Sequence, residues 1–226
     1  QGLSTEGIHG QFDTTRNALE MDGALDEYFL HQPDPQHSLV DTLQTCDVLV
    51  GMNVVREVGL SNFHVDEVRR AFDICDEYGL AYPSVYQGLY NPLNRLVEDE
   101  LLPFLRERNC RFVAYNGLAA GLLTGKHRQG EAVLAGRFKN NENYLPRFYT
   151  DANFEAVERI RKACDDAHVD MVAATYAWLL NYSSLTEDDG VLLGASSVDQ
   201  LDACLDACAN LVDLPRNVQD AFDGAW

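Results

Sequence analysis

The sequence lacks any apolar run of the roughly 18 residues that a membrane-spanning helix needs, and it has no basic-then-apolar signal peptide. None of its six cysteines forms a Cys-x-x-Cys pair, and we expect no metal site. Basic residues are scarce, with 17 Lys and Arg against 36 Asp and Glu, a formal net charge of −19. These features exclude a membrane-spanning protein and a disulfide scaffold, and they disfavour nucleic-acid and membrane partners. We therefore expect a cytoplasmic protein with reduced thiols.

The rest of the composition is that of a folded chain, with 226 residues of which 46% are hydrophobic and 23% charged. Short β-rich runs alternate with longer helical patterns. The strand candidates are residues 27–32, 54–63, 83–93, 110–118 and 191–196. The helix candidates are a segment before Tyr28 with Ser4 as its N-cap, followed by 38–51, 65–78, 94–108, 153–168, 170–182, 198–209 and 215–226. This alternation predicts right-handed βαβ units and a parallel sheet in an α/β fold.

Polar residues follow the predicted strands at their carboxyl ends, where parallel α/β folds place their functional loops. They are His31, Ser61 and Asn62, Gln87, Asn116, and Ser196 with Ser197. Only five strands are found, whereas a closed (β/α)8 barrel has eight strands and takes about 250 residues. An open sheet of this kind leaves two edges with unpaired backbone groups.

Residues 119–153 show no clear periodicity, which is long for a plain connection and typical of lids and binding loops. A solvated loop is the alternative interpretation. The segment also holds the best local cluster of basic residues in this acidic chain, namely Lys126, Arg128, Arg137, Lys139 and Arg147. Further along, Cys204 and Cys208 lie four residues apart beside Leu201 and Leu205, which predicts a core-facing helical stripe rather than a metal pair.

Five segments together resemble the aldo-keto reductases, specifically the aflatoxin-aldehyde-reductase-like branch. They are YFLHQPDP, EVGLSNF, VYQGLYNPL, YNGLAAGLLTGK and LLGASSVDQL, and the resemblance runs from about Leu3 to Trp226. It implies a TIM-type (β/α)8 barrel that is incomplete here, with about five of eight βα units present. Residues 1–226 would then be a single domain, the C-terminal five-eighths of the barrel, with 119–153 as a long cofactor or substrate loop. The implied reaction is NADPH-dependent reduction of a small aldehyde or ketone.

Of the family's catalytic tetrad of Asp, Tyr, Lys and His, the resemblance finds only the histidine, as His31 in YFLHQ. The other three belong to units that would precede this sequence. We therefore expect reduction to need those units, and the initial Gln rather than Met leads us to expect a preceding segment. Two alternatives stay open. The chain is a lyase, isomerase or cyclase that uses His31 without redox chemistry, or it is a non-catalytic binding subunit.

The resemblance also implies which residues hold NADPH. Ser61, Asn62 and Gln87 would contact the nicotinamide carboxamide, and Tyr115 would stack on the ring. The pyrophosphate would lie against a glycine-rich segment made up of Asn116, Gly117, Leu118, Gly121, Leu123, Gly125 and Lys126, with Arg137 near the cofactor. The adenosine 2′-phosphate would lie at the start of the last predicted helix, near Gly194, Ser196, Ser197 and Gln200.

Plainer structural roles compete with several of these assignments. Ser61 and Asn62 would also suit a helix N-cap, as would Ser197, and Tyr115 would suit a core aromatic at the sheet's edge. Many family members have Arg where this chain has Gln200, and most have Asn where it has Cys204. Loss of one charged contact to a phosphate weakens affinity about tenfold to a hundredfold. For partners, we expect a homo-oligomer or a complementing chain at the open sheet edges.

Overall fold

The computed structural model of the chain describes residues 2–130, 138–139, 141–142 and 144–226. Within these ranges the strands are β1 (Leu25–Leu30), β2 (Val55–Ser61), β3 (Val85–Leu89), β4 (Arg111–Tyr115) and β5 (Gly190–Val191). The α-helices are α1 (Thr5–Leu19), α2 (Leu39–Gly51), α3 (Val65–Tyr78), α4 (Leu101–Glu107), α5 (Leu145–Phe148), α6 (Asp151–Ala167), α7 (Met171–Asn181), α8 (Val198–Ala209) and α9 (Arg216–Asp223). Two 3₁₀ segments, Leu96–Glu98 and Ala119–Thr124, complete the set.

The strands form one sheet in the order β1-β2-β3-β4-β5, so strands that follow one another in sequence are neighbours. β1 pairs with β2 in parallel, with Leu25 opposite Val55. β2 pairs with β3 in parallel, with Ser61 opposite Gln87, and β4 pairs with β5 in parallel through Val113 and Gly190. The predicted α/β class, with five parallel strands of an incomplete barrel, is confirmed.

The chain divides into two compact units, Gln1–Gly88 with Asp99–Phe112, and Leu89–Glu98 with Val113–Trp226. The core of the first unit includes Leu30, Leu60, Phe72, Leu105 and Phe112, which are fully buried. That of the second includes Tyr90, Phe148, Tyr176, Trp178 and Phe222. The expected single domain stays a prediction. In the described ranges we find no helix with the length and apolar character that a bilayer crossing requires.

Helix boundaries follow the capping chemistry of the sequence. α1 begins after Ser4, whose hydroxyl accepts a hydrogen bond from the Gly7 N–H, as predicted. α3 covers the predicted residues 65–78 and ends at Gly79, which adopts a left-handed φ of 65°. Its N-cap is His64, in a capping box with Glu67, so the competing interpretation of Ser61 and Asn62 as that cap is wrong.

Two predicted elements are shorter than expected. The helix predicted over 94–108 is instead a 3₁₀ turn followed by α4, because Pro103 has no N–H to donate and its ring clashes with the carbonyl four residues earlier. The strand predicted over 191–196 is only Gly190–Val191. β5 pairs with β4 through Gly190 opposite Val113 and Val191 opposite Ala114, and just after β5 the Leu192 N–H donates to the Ala114 carbonyl.

The predicted core stripe on α8 is only partly formed. Cys204 is buried, but Leu201 and Leu205 are exposed, and Cys208 is half-buried. One turn of α8 therefore packs, through Cys204, while its leucines face solvent. The stripe prediction is wrong for both leucines, since apolar spacing shows which residues share a face but not what covers that face.

Arg111 bridges two like charges in the first unit. Its Nη2 lies 2.5 Å from Glu27 Oε1 and 2.6 Å from Glu57 Oε2, and the two glutamates are register partners on β1 and β2. We expect Arg111→Met to lower the free energy of unfolding by about 1 kcal/mol at neutral pH, because it leaves two adjacent carboxylates unbalanced. Urea denaturation measures this change.

The matched control is Arg56→Met, which removes a 3.1 Å pair between the same two strands, with Asp26. Both of those side chains are well exposed, so water already screens the pair, and we expect a change below about 0.5 kcal/mol. If the two variants lose the same free energy of unfolding, the partial burial of Arg111 does not strengthen its ion pairs.

Candidate functional site

The carboxyl ends of β1 and β2 are joined by a side-chain amide. His31 follows β1 directly and is exposed. Asn62 follows β2 with a left-handed φ of 61°, and its Nδ2 donates to the His31 carbonyl at 2.8 Å and to Ser61 Oγ at 3.1 Å. Asn62 therefore fixes the backbone at His31, a role that the sequence does not predict for it.

Ser61 presents a buried hydroxyl beside Gln87. Ser61 is 2% exposed, and its Oγ accepts a hydrogen bond from Asn62. Within the described ranges its own O–H has no acceptor, and a buried hydroxyl donor normally finds one. Gln87 is its register partner, although Gln87 lies in the middle of β3 and not at the strand's end as expected. A hydroxyl and an amide side by side suit a neutral carboxamide group.

The backbone after β4 is held in unusual conformations. Asn116, Ala119 and Ala120 have φ values of 56°, 48° and 56°, in the left-handed region that asparagine tolerates and alanine ordinarily avoids. Gly121 follows with a φ of 108°, open only to glycine. Each alanine held there costs roughly 1 kcal/mol or more, and such strain gathers at functional sites.

Gly117, inside this segment, is buried, and its N–H has no acceptor among the described residues. A Cβ at this position would lie 3.0 Å from Leu179 Cδ1, a tight contact that the fully buried Leu179 side chain would have to relieve by a small shift. Successive backbone N–H groups in such turns bind anions, and phosphate oxygens are typical acceptors. Tyr115, the last residue of β4, is half-buried. The Gly117 N–H is therefore a donor that suits a pyrophosphate oxygen.

The remaining residues assigned to this segment surround the turn Ala119–Thr124. Leu123 is buried, Leu118 is half-buried, and Gly125 ends the turn with a left-handed φ of 71°. Lys126 is exposed. Arg137, also assigned to the cofactor, lies outside the described residues.

A groove of about 590 Å³ lies in the second unit, beside the residues that follow Gly125. It is lined by His127, Arg128, Gln129, Phe154, Glu155, Val157, Glu158, Arg159 and Arg161. Its arginines already have acceptors: Arg128 donates to the Gly125 carbonyl, Arg159 to the Gly224 carbonyl, and Arg161 to Glu158 and Asp165. Burial and the charge of Lys126 lower the pKa of His127, which favours a neutral ring. None of the predicted cofactor residues that the structure describes lines this groove.

The start of α8 brings together the serines and the glutamine assigned to the 2′-phosphate. Ser197 is the N-cap, and its Oγ accepts from the Gln200 N–H at 3.3 Å, so the capping interpretation is confirmed. Ser196 donates to Gln200 Oε1 through its N–H at 3.1 Å and its hydroxyl at 2.9 Å. All three residues and Gly194 are exposed. The positive end of the helix dipole favours an anion here.

Cys204, one turn into α8, is buried and shares a hydrogen bond with the Tyr176 hydroxyl. Burial, followed by this bond, raises the pKa of Tyr176. The side chain that replaces the family's usual asparagine thus packs inward.

Asn91 is a further polar residue beside the turn after β4, and the sequence patterns did not single it out. It is fully buried, and its Nδ2 donates to the Asn116 carbonyl at 3.0 Å. The available signal was the Asn-Pro dipeptide after a strand, since asparagine before proline often forms a side-chain turn.

Comparison with known proteins assigns the chain's family. The family model described as Aldo/keto reductase family matches residues 1–225, so the chain belongs to this family. It is 37% identical to Aflatoxin B1 aldehyde reductase member 2 of Rattus norvegicus, over 100% of this chain and 64% of that protein. It is 36% identical to Aldo-keto reductase family 7 member A3 of Homo sapiens, over 99% of this chain and 71% of that protein. The chain therefore spans just under two thirds of the rat protein's length.

A more distant relative is Oxidoreductase sirO of Leptosphaeria maculans, which is 32% identical over 80% of this chain and 56% of that protein. The family resemblance expected from the five sequence segments is confirmed.

Proposed function

We propose that this chain is the NADPH-binding part of a reductase that acts on small aldehydes or ketones. The observation that carries the proposal is the strained backbone after β4, where Asn116, Ala119 and Ala120 hold positive φ. Strain of this kind persists only where surrounding structure or function maintains it. Membership of the aldo-keto reductases supports the choice of a nicotinamide cofactor and a carbonyl substrate.

The residues of the first unit would orient the reacting end of the cofactor. NADPH supplies, when bound, the hydride that a carbonyl carbon accepts. The Ser61 hydroxyl and the Gln87 amide would hold the carboxamide. Asn62 fixes the backbone of His31, whose imidazole would donate a hydrogen bond to the substrate's carbonyl oxygen.

The residues of the second unit would hold the phosphates. The Gly117 N–H would donate a hydrogen bond to a pyrophosphate oxygen, and Tyr115 would offer its ring face to the nicotinamide. Ser196 and Ser197 would take the 2′-phosphate at the α8 N-terminus. Residues 194–200 include no arginine, so we expect weaker discrimination between NADPH and NADH than an arginine contact gives.

Reduction would need more than these residues. His31 is the one member of the family's tetrad that this sequence matches, so we propose that the Asp, Tyr and Lys come from additional βα units on this or another polypeptide. Within the described ranges, β1 and β5 each pair on one side only, and their open edges are where such units would add.

We expect Ser61→Ala to weaken NADPH affinity about fivefold to tenfold, because it removes one hydrogen bond to the carboxamide. The matched control is Ser84→Ala in the same unit. Ser84 Oγ is buried as well, with no partner among the described residues, whereas Ser61 Oγ accepts from Asn62. Ser84 lies just before β3 begins, at the amino end of the strand. We expect that variant to bind as the wild type does. Quenching of protein fluorescence by NADPH measures both affinities.

Wild-type protein that fails to bind NADPH would contradict the proposal and favour the non-redox or binding-subunit hypothesis. Equal losses from the two serine variants would show that Ser61 does not contact the carboxamide.

A further inference from the structure

Asn91 is a fully buried amide whose hydrogen bonds are all directed at backbone. Its Oδ1 accepts from the Leu93 N–H at 2.9 Å, and its Nδ2 donates to the Asn116 carbonyl at 3.0 Å. Its own N–H and carbonyl pair with those of Asn94. The side chain therefore links the turn after β3 to the strained turn after β4, both within the second unit.

The Asn116 carbonyl is held from two sides. It accepts from the Ala119 N–H at 2.8 Å as well as from Asn91. A carbonyl oxygen has two lone pairs, so both are used. The peptide bond between Asn116 and Gly117 is trans, and in a trans peptide the carbonyl and the next N–H point in opposite directions. Fixing the Asn116 carbonyl therefore fixes the direction of the Gly117 N–H, which lacks an acceptor among the described residues.

The segment that carries Asn91 is itself rigid. Tyr90 N–H donates to the Tyr115 carbonyl at 3.3 Å, so the last carbonyl of β4 and the next one along the chain are hydrogen-bonded to two successive residues. The Tyr90 hydroxyl donates to Glu98 and accepts from the Ser184 N–H at 3.1 Å. These hydrogen bonds therefore hold the backbone next to Asn91 in place.

We infer that Asn91 is a positioning residue for anion binding: it sets the Asn116–Gly117 peptide plane so that the Gly117 N–H donates to a pyrophosphate oxygen of the nicotinamide cofactor. This inference rests on the proposed function. It adds a residue that touches neither cofactor nor substrate. It also explains why an asparagine is buried in the turn after β3, where burial of a polar group without such a role is costly.

The test is the variant Asn91→Asp, assayed for NADP⁺ affinity by isothermal titration calorimetry. The introduced carboxylate keeps the acceptor for the Leu93 N–H but repels the Asn116 carbonyl, so we expect affinity to fall about tenfold to a hundredfold at pH about 8. Burial raises the pKa of such a carboxyl, and its protonated form donates again. The ratio of variant to wild-type dissociation constants should therefore shrink towards one as the pH falls to about 5.5.

The matched control is Asn94→Asp, which adds the same charge at the residue whose backbone pairs with that of Asn91. It leaves in place the Asn91 amide that donates to the Asn116 carbonyl. We expect its affinity to stay within about twofold of the wild type at both pH values. A structural role alone would lower stability without making the affinity ratio depend on pH. If the wild type binds NADP⁺ and the ratio of the Asn91→Asp and wild-type dissociation constants is near one or independent of pH, the inference is overturned and the proposed function stands. If the wild type binds no NADP⁺, the proposed function and the inference are both overturned.

Discussion

Trp178→Ala is expected to lower the free energy of unfolding by about 3–5 kcal/mol. Trp178 lies on α7 with none of its surface exposed. Its ring stacks on Phe222 with centroids 6.1 Å apart, and the Tyr90 ring lies 6.2 Å away. Alanine would leave a large cavity among side chains that are themselves fixed, so the surroundings cannot collapse to fill it.

The Trp178 side chain also makes polar contacts, which add to the stability that its removal would cost. Its Nε1 donates to Asp223 Oδ1 at 2.9 Å, which ties α7 to α9. The Arg95 guanidinium lies 5.3 Å over its ring while it pairs with Glu98 through Nε at 3.0 Å and Nη2 at 2.9 Å. Burial and the Glu98 contact raise the pKa of neighbouring Tyr90 to about 12, so its phenol stays protonated and continues to donate. Removal of the indole thus disturbs a connected polar and aromatic cluster.

The chain's second tryptophan is the control. Trp226 is 60% exposed at the C-terminus, and we expect Trp226→Ala to change stability by less than about 0.5 kcal/mol. Trp178→Phe keeps most of the volume but removes the donor to Asp223, so a loss of about 1–2 kcal/mol is expected. Far-UV circular dichroism in urea follows all three variants without relying on tryptophan fluorescence. If Trp178→Ala and Trp226→Ala lower the free energy of unfolding by similar amounts, the contacts around Trp178 do not contribute the expected stability.

Local capping and turn chemistry explains which elements the sequence predicts well. The bounds of α3 and α8 follow from side chains adjacent in sequence, namely His64 with Glu67, Gly79, and Ser197. The order of strands and helices likewise follows from alternating patterns, and it places His31, Ser61 and Asn62 at the carboxyl ends of β1 and β2. These features depend on interactions within a few residues, which a single sequence contains.

Features that depend on distant contacts were not predictable in this way. The length of β5 depends on how far β4 runs beside it, and the exposure of Leu201 and Leu205 depends on what packs against α8. The role of Asn91 depends on Asn116, 25 residues away in sequence. The positive φ of Ala119 and Ala120 leaves no mark in composition, because alanine does not ordinarily adopt it.

Gly88→Ala tests how closely β3 is packed beside Gln87, and we expect it to lower the free energy of unfolding by about 2–3 kcal/mol. An added Cβ would lie 2.6 Å from Phe112 Cε2 and 2.7 Å from Phe112 Cζ, with Tyr86 Cε1 at 3.0 Å. Neither ring is free to move. Phe112 is fully buried and stacks against Tyr86 at 6.0 Å, and the Tyr86 hydroxyl donates to the Phe63 carbonyl at 2.7 Å.

Gly190→Ala is the matched control, because it changes a strand glycine whose added Cβ would meet Val113 at an ordinary 3.6 Å. There the reduced freedom of the unfolded chain should leave stability unchanged or raise it by up to about 1 kcal/mol. Phe112→Leu removes the atoms that clash, so combining it with Gly88→Ala should cost less than the sum of the single changes. If the free-energy changes of the two single variants simply add in the double variant, the destabilisation by Gly88→Ala does not arise from its contact with Phe112. A coupling would show that a ring on β4 fixes the backbone of β3 and, with it, the position of Gln87 opposite Ser61.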